Sequence, residues 1–376
     1  MKNIKKIDSK INKSISFLNK KRKRNKKKLE VNVKNKNIRK NKANKIFKSI
    51  KNPKNIKLLN NITNNSFVNV AIDNTFIVFN SVNNILYLIF VHYNMLIICY
   101  DLNAIQKVCE IDNHEYISGF RHYLDKSNKR DLIMVLISSN CIKIWNAKNF
   151  ECLLYIQNIN PKGYLYSACF LKDSNQIYIV TSNMTSFDCE AIKVYDLNGN
   201  IKKEINNSND STYFLDIFYD NKSLKKYIIV GCFGFVKSYD YSKNELYNKY
   251  LDNLNEKKPH CSIVINNNKK ITKLMESCDD GIIRIWNFHS GALLKKINIS
   301  EENNSLFGIC LWNKDYLFVG CKNNAIKLIE LKSGLIIKNI NSHYNGTTTI
   351  KKIKHPKYGE ILISQGYIID QIKLWN

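Results

Sequence analysis

The sequence predicts an all-β fold: a seven-bladed β-propeller closed by an N-terminal strand, behind a disordered basic N-terminal tail. Three observations predict it. From about residue 55, apolar runs of five to eight residues alternate with Asn, Asp, Lys and Gly clusters, without sustained helical periodicity. That texture reads as many short strands. One strand pattern with an aromatic or apolar anchor returns seven times at a near-constant spacing, the mark of a repeat architecture. The last copy, "DQIKLWN", stops one strand short of a four-stranded unit.

The tail comes first. Residues 1–54 hold 22 of the 59 Lys+Arg but only two of the 31 Asp+Glu, Asp8 and Glu30, a net charge of +20. The other 322 residues hold 37 and 29, a net +8. The densest run, "KKRKRNKKK", contains Lys20, Lys21, Arg22, Lys23, Arg24, Lys26, Lys27 and Lys28. Self-repulsion and low hydrophobicity predict disorder here. The run fits a nuclear-localisation signal or a nucleic-acid patch. Its bland reading is a solvated Lys tail, because Lys, Asn and Ile all have AT-rich codons. Only six Arg stand against 53 Lys, whereas bidentate phosphate or guanine contacts favour Arg. Phe17 is the one aromatic before residue 47, so base stacking is poorly supplied. Ile4, Ile7, Ile11, Ile15 and Leu18 share one helical face. A short basic amphipathic helix there would suit a partner or an anionic membrane surface.

The closing strand follows. "NIKLLNNI", residues 55–62, is expected to pair outside "IKLWN" as the outer strand of blade seven. An apolar edge left open is an aggregation hazard, and a strand from the other end of the chain removes it.

The blades are expected at roughly 66–112, 113–160, 161–207, 208–254, 255–299, 300–342 and 343–376. Their anchors are Tyr100, Trp145, Tyr195, Tyr239, Trp286, Ile329 and Trp375, separated by 45, 50, 44, 47, 43 and 46 residues. An apolar run precedes each anchor strand, such as "DLIMVLIS", and a third run follows all but the last, such as "ECLLYI". The greasiest stretch, "ILYLIFVHYNMLIICY", spans 16 residues with His92 and Asn94 at its middle. A membrane helix needs about 20, so two strands around a turn explain it better.

These repeats resemble the WD-repeat β-propeller family. The best copy is "SCDDGIIRIWNFHSGALLKKI", with an Asp280-Gly281 turn and Trp286 six positions after the Asp. The resemblance covers roughly residues 55–376. It implies a buried His-Ser/Thr-Asp-Trp network clipping each blade, which blade five would keep as His260, Asp280 and Trp286, with Glu276 in the Ser/Thr place. The literal Trp-Asp pair is absent, so the copy is a divergent one.

No motif carries catalysis. The sequence has no HExxH, no CxxC, no phosphate-binding Gly loop and no GxSxG elbow. Eleven scattered Cys read as reduced core thiols of an intracellular protein. The expectation is a non-enzymatic scaffold for protein–protein contacts, a monomer within a larger complex, with no cofactor, no metal and no integral membrane association. It would sit in cytoplasm or nucleus, its tail serving targeting or electrostatic capture. The alternatives are a nuclear or nucleolar ribosome-biogenesis or RNA-associated factor whose tail contacts RNA, and a peripheral membrane adaptor.

Overall fold

The computed structural model describes residues 57–62, 76–92, 95–157, 159, 164–184, 191–206, 210–252, 259–267, 271–300, 305–344, 346–366 and 372–376. The run from Lys20 to Lys28 and the apolar row from Ile4 to Leu18 lie outside them. The chain divides into two units, Met1–Pro53 and Lys54–Asn376. The fold described is that of the second.

Seven four-stranded antiparallel sheets form the blades, each ordered from inner to outer strand. The inner strand of each blade packs on that of the next, and the seventh meets the first, which closes the ring. Second strands read as unbroken apolar runs because neighbouring blades cover both of their faces. Arg130–Ile137, "RDLIMVLI", is buried from its second residue onward. Outer strands lie at the rim, where blades splay apart, and bury little: Gln106–Asp112 has no buried residue. Full burial of one Ile or Leu contributes about 1.5–3 kcal/mol, so stability concentrates near the axis.

Blade seven contains Thr347–His355, Gly359–Gly366 and Ile372–Trp375, with Leu58–Ile62 as its outer strand. The closure is thus made by the expected N-terminal strand. Its register carries independent support. In the other six blades an extra outer-strand residue bulges beside the anchor, as Val108 does between the partners of Cys99 and Tyr100. The closing strand repeats this: Leu58 faces Trp375, Asn60 faces Leu374, and Leu59 is the extra residue. Bulges bend and twist the outer strand locally, and the rim of every blade has one. Across the seam, Ile62, Phe76, Leu88, Phe90, Ile361, Ile363 and Leu374 form one apolar cluster. His355 Nε2 donates to the Leu102 carbonyl at 3.0 Å, joining blade seven to blade one.

Antiparallel order sorts the connections. Outer-to-inner loops and second-to-third turns share one face, here the loop face. Inner-to-second and third-to-outer turns share the other, the turn face. Among the described residues no helix is long and apolar enough to cross a membrane.

Candidate interaction surfaces

The surfaces rest on how each blade fixes its loops. The Asp or Asn after the anchor shapes a turn. Asp101, Asn146, Asp196, Asp240 and Asn287 each accept, through Oδ1, the backbone N–H two residues on, at 2.8–3.1 Å. That is an Asx turn, which Asn performs as well as Asp. The loss of a literal Trp-Asp pair therefore leaves the third-to-outer turns intact.

A cation stands two residues before the anchor at Lys143, Lys193, Lys237, Arg284, Lys327 and Lys373. In blades two, four, five, six and seven it fixes the loop that leads into the blade. Residues two apart on a strand share a face, so the cation lies beside its anchor. Lys143 Nζ reaches Asn113 Oδ1 and Glu115 Oε2, both at 3.0 Å. Lys237 pairs with Asp210, and Lys373 bonds the Ser342 carbonyl. Arg284 Nε bonds Asp252 at 2.9 Å, and Lys327 bonds the Ile299 carbonyl at 2.7 Å. Asn113, Asp252, Ile299 and Ser342 are each the first residue after the preceding outer strand. The sequence reading passed over this cation. Its signal is plain in "IKIWN", "IKVYD", "VKSYD", "IRIWN", "IKLIE" and "IKLWN".

The anchors differ in what receives their polar atom. The deciding position is on the second strand, two residues past the anchor's register partner. It holds Phe90, Val135, Thr181, Val230, Glu276, Val319 and Ser364. Trp375 Nε1 donates to Ser364 Oγ at 2.8 Å, and His343 Nε2 contacts the same hydroxyl at 2.8 Å. This His-Ser-Trp clip is in blade seven, whereas the sequence pointed to blade five. In blade five Trp286 Nε1 donates to Glu276 Oε1 at 3.2 Å, and Asp280 pairs with Arg284. The side chain of His260 lies outside the described residues. In blade two the deciding position holds Val135, which offers no acceptor, and the indole N–H of Trp145 has no hydrogen-bond partner. Tyr100, Tyr195 and Tyr239 pack in the blade interiors as aromatic anchors, Tyr195 also donating to the Ile159 carbonyl, and Ile329 is fully buried.

Glu276 Oε2 is buried and has no hydrogen-bond partner. Burial pushes the carboxyl up to about 7, against the pull of Arg284 and the Trp286 hydrogen bond. Burial also raises Asp252, but bonds to Lys296 and Arg284 outweigh it and hold that carboxyl below the usual range. Blade five thus carries a chain of charges, Lys296–Asp252–Arg284–Asp280, with Glu276 behind it.

Two kinds of surface stand on this frame. The loop face presents Tyr344 at 81% exposure, Tyr116 at 56% and Phe233 at 46%. The turn face carries clefts between blades. One of about 620 Å³ between blades three and four is lined by Lys202, Lys203, Lys225 and Lys226. Its cations are already engaged: Lys202 with Asp196, Lys225 with Asp240, Lys226 with Asp173, and Lys203 on the Tyr241 carbonyl and ring. Another, of about 600 Å³, lies between blades five and six.

Ten of the 11 Cys lie among the described residues. All ten are free thiols, and seven are buried. Among the described residues no group of three His, Cys, Asp or Glu is placed to hold a metal ion. The seven-bladed architecture is consistent with a WD-repeat type of fold. Set against known proteins, the chain matches no protein-family model and no curated relative.

Proposed function

We propose that this chain is a divergent WD-repeat scaffold that binds other proteins inside the cell, in cytoplasm or nucleus, and performs no catalysis of its own. One observation carries the reading: three large aromatic side chains stand exposed on the loop face, and the frame tethers the loops of two of them. Tyr344 follows Ser342 and His343, which are bonded to Asn324, Lys373 and Ser364. Tyr116 follows Asn113 and Glu115, both held by Lys143. Single exposed apolar residues are ordinary. Aromatics whose loops are already ordered lose less freedom on binding, and Tyr is enriched among binding hot spots. The test is affinity purification with the full chain and with a Tyr116→Ala/Phe233→Ala/Tyr344→Ala variant. Proteins held by the full chain should be depleted at least tenfold from the variant. An unchanged set of partners would refute the loop-face reading.

A second reading follows from charge. A chain whose residues 1–54 carry net +20 and whose remaining residues carry net +8 suits electrostatic capture of RNA. It predicts RNA binding that falls steeply with salt and is lost when the basic run Lys20–Lys28 is neutralised.

A further inference from the structure

The turn-face groove between blades five and six differs from the cleft between blades three and four in one respect: three of its four lysines have no ion-pair partner among the described residues. Met275 and Ile285 form the buried floor, and Leu294, Leu311 and Leu331 form the walls. Leu294 is 45% exposed because it is the bulged extra residue of its outer strand. Lys295 bridges the two blades, donating to the Leu331 and Lys332 carbonyls at 3.1 and 2.9 Å. The remaining lysines, Lys273, Lys314 and Lys332, have no ion-pair partner among the described residues, and Asp315 is the one carboxylate in the lining. The cleft between blades three and four, by contrast, pairs three of its four lysines with carboxylates and holds the fourth on the Tyr241 carbonyl and ring.

We infer that this groove binds an acidic peptide segment of a partner protein. One large aliphatic or aromatic side chain would seat on the leucine walls, and flanking Asp or Glu residues would pair with Lys273, Lys314 and Lys332. The inference rests on the scaffold reading and deepens it by assigning a second surface and a partner chemistry. Charge selects the occupant. An apolar slot alone accepts many sequences, but three unpaired ammonium groups around it favour carboxylates and repel basic segments. The chain's own N-terminal region, with 22 basic residues against two acidic, has the wrong sign to fill it.

The probe is a fluorescein-labelled peptide with a central Leu flanked by runs of Asp and Glu, titrated with the full chain by anisotropy. A matched peptide carries Ser in place of Leu. Three protein variants accompany it. Lys273→Glu/Lys314→Glu/Lys332→Glu reverses the rim, and Leu294→Asp alters the wall at a position exposed enough to keep the fold. Lys126→Glu/Lys129→Glu/Lys148→Glu makes the same charge change on exposed turns of blade two. The rim triple and Leu294→Asp should each weaken the Leu peptide at least tenfold, the blade-two triple less than threefold, and the Ser peptide should bind at least tenfold more weakly. Equal binding of Ser and Leu peptides, or equal losses in the two triples, would overturn the proposal and leave only polyanion attraction. Unlabelled oligouridylate that displaces both peptides alike would likewise overturn it, in favour of nucleic acid. If the groove fails while the loop-face aromatics still retain partners, the scaffold reading stands without it.

Discussion

Blades five and seven place a tryptophan at the same point and receive its indole N–H at the same second-strand position, yet with opposite chemistry. In blade seven the acceptor is the Ser364 hydroxyl, shared with His343. In blade five it is the Glu276 carboxylate, with one oxygen unpartnered and Arg284, Asp280, Asp252 and Lys296 arrayed beside it. The slot therefore needs an acceptor of the right reach, and a small neutral or a large ionisable side chain can fill it. The consequences differ. A neutral clip is locally complete. An ionic one is held only while each charge keeps its partner, because isolated buried charges are costly.

The largest effect should come from breaking the ionic blade at its centre. Arg284 is almost fully buried and serves Asp252 and Asp280 at once. Arg284→Met keeps the apolar stem and removes the charge, leaving Asp252 with Lys296 and taking from Asp280 its arginine partner, both in a mostly buried setting. Removing one partner of a buried pair costs about 3–5 kcal/mol. Urea unfolding should show a loss in that range. A loss under about 1 kcal/mol would mean the network is decorative and that blade five is held by packing alone.

Next in size is the pH dependence that only blade five should show. The Glu276 carboxyl sits at about 7 in the folded chain, against an ordinary 4.5. Between those values the folded chain keeps a proton that the unfolded chain has released. Its contribution is therefore fully present below about pH 4.5 and is lost as pH rises through about 7. The gap corresponds to about 3 kcal/mol at roughly 1.4 kcal/mol per unit. Carboxyls held low, such as Asp125, Asp240 and Asp252, act in the opposite direction and at lower pH. Glu276→Gln keeps an acceptor for Trp286 without the titration. The difference between wild type and variant should shrink steadily from pH 5 to pH 7.5 in favour of the variant. A difference flat across that window would show that Glu276 stays ionised.

The uneven legibility of the sequence has the same physical root. Period, anchors and closing strand were readable because each is a one-dimensional pattern: apolar runs, a spacing near 45, and a missing strand with one candidate to supply it. The acceptor position was not, because it is defined by cross-strand register between the second and third strands, which no one-dimensional pattern in the sequence marks. "SCDDG" drew attention to blade five through its turn, while Ser364, in the unremarkable "EILISQG", makes the neutral clip. The cation before the anchor was visible but disappeared into an overall excess of Lys. The free lysines around the groove between blades five and six differ from the paired ones between blades three and four only in which carboxylates stand beside them. That is a property of neighbouring blades in space.

The smallest predicted effect tests the neutral side of the comparison. Ser364→Ala removes the acceptor of Trp375 Nε1 and the contact of His343 together, at three fully or nearly fully buried residues. A buried donor left unpaired costs about 1–3 kcal/mol. Blade two argues for the lower end, because there Val135 holds the acceptor position, the Trp145 N–H is already unpartnered, and the blade retains its four strands. Blade seven also holds the seam, since its outer strand comes from the opposite end of the chain, so local loosening there reaches the closure of the ring. Ser364→Ala should lower the urea midpoint by an amount equivalent to about 1–2 kcal/mol, with the slope unchanged if the ring still unfolds as one unit. Amide exchange should quicken first in Leu58–Ile62 and Ile372–Trp375. A similar loss of protection in all seven blades would mean the clip stabilises the ring as a whole. Loss confined to blade seven would mark the seam as the place where this propeller opens.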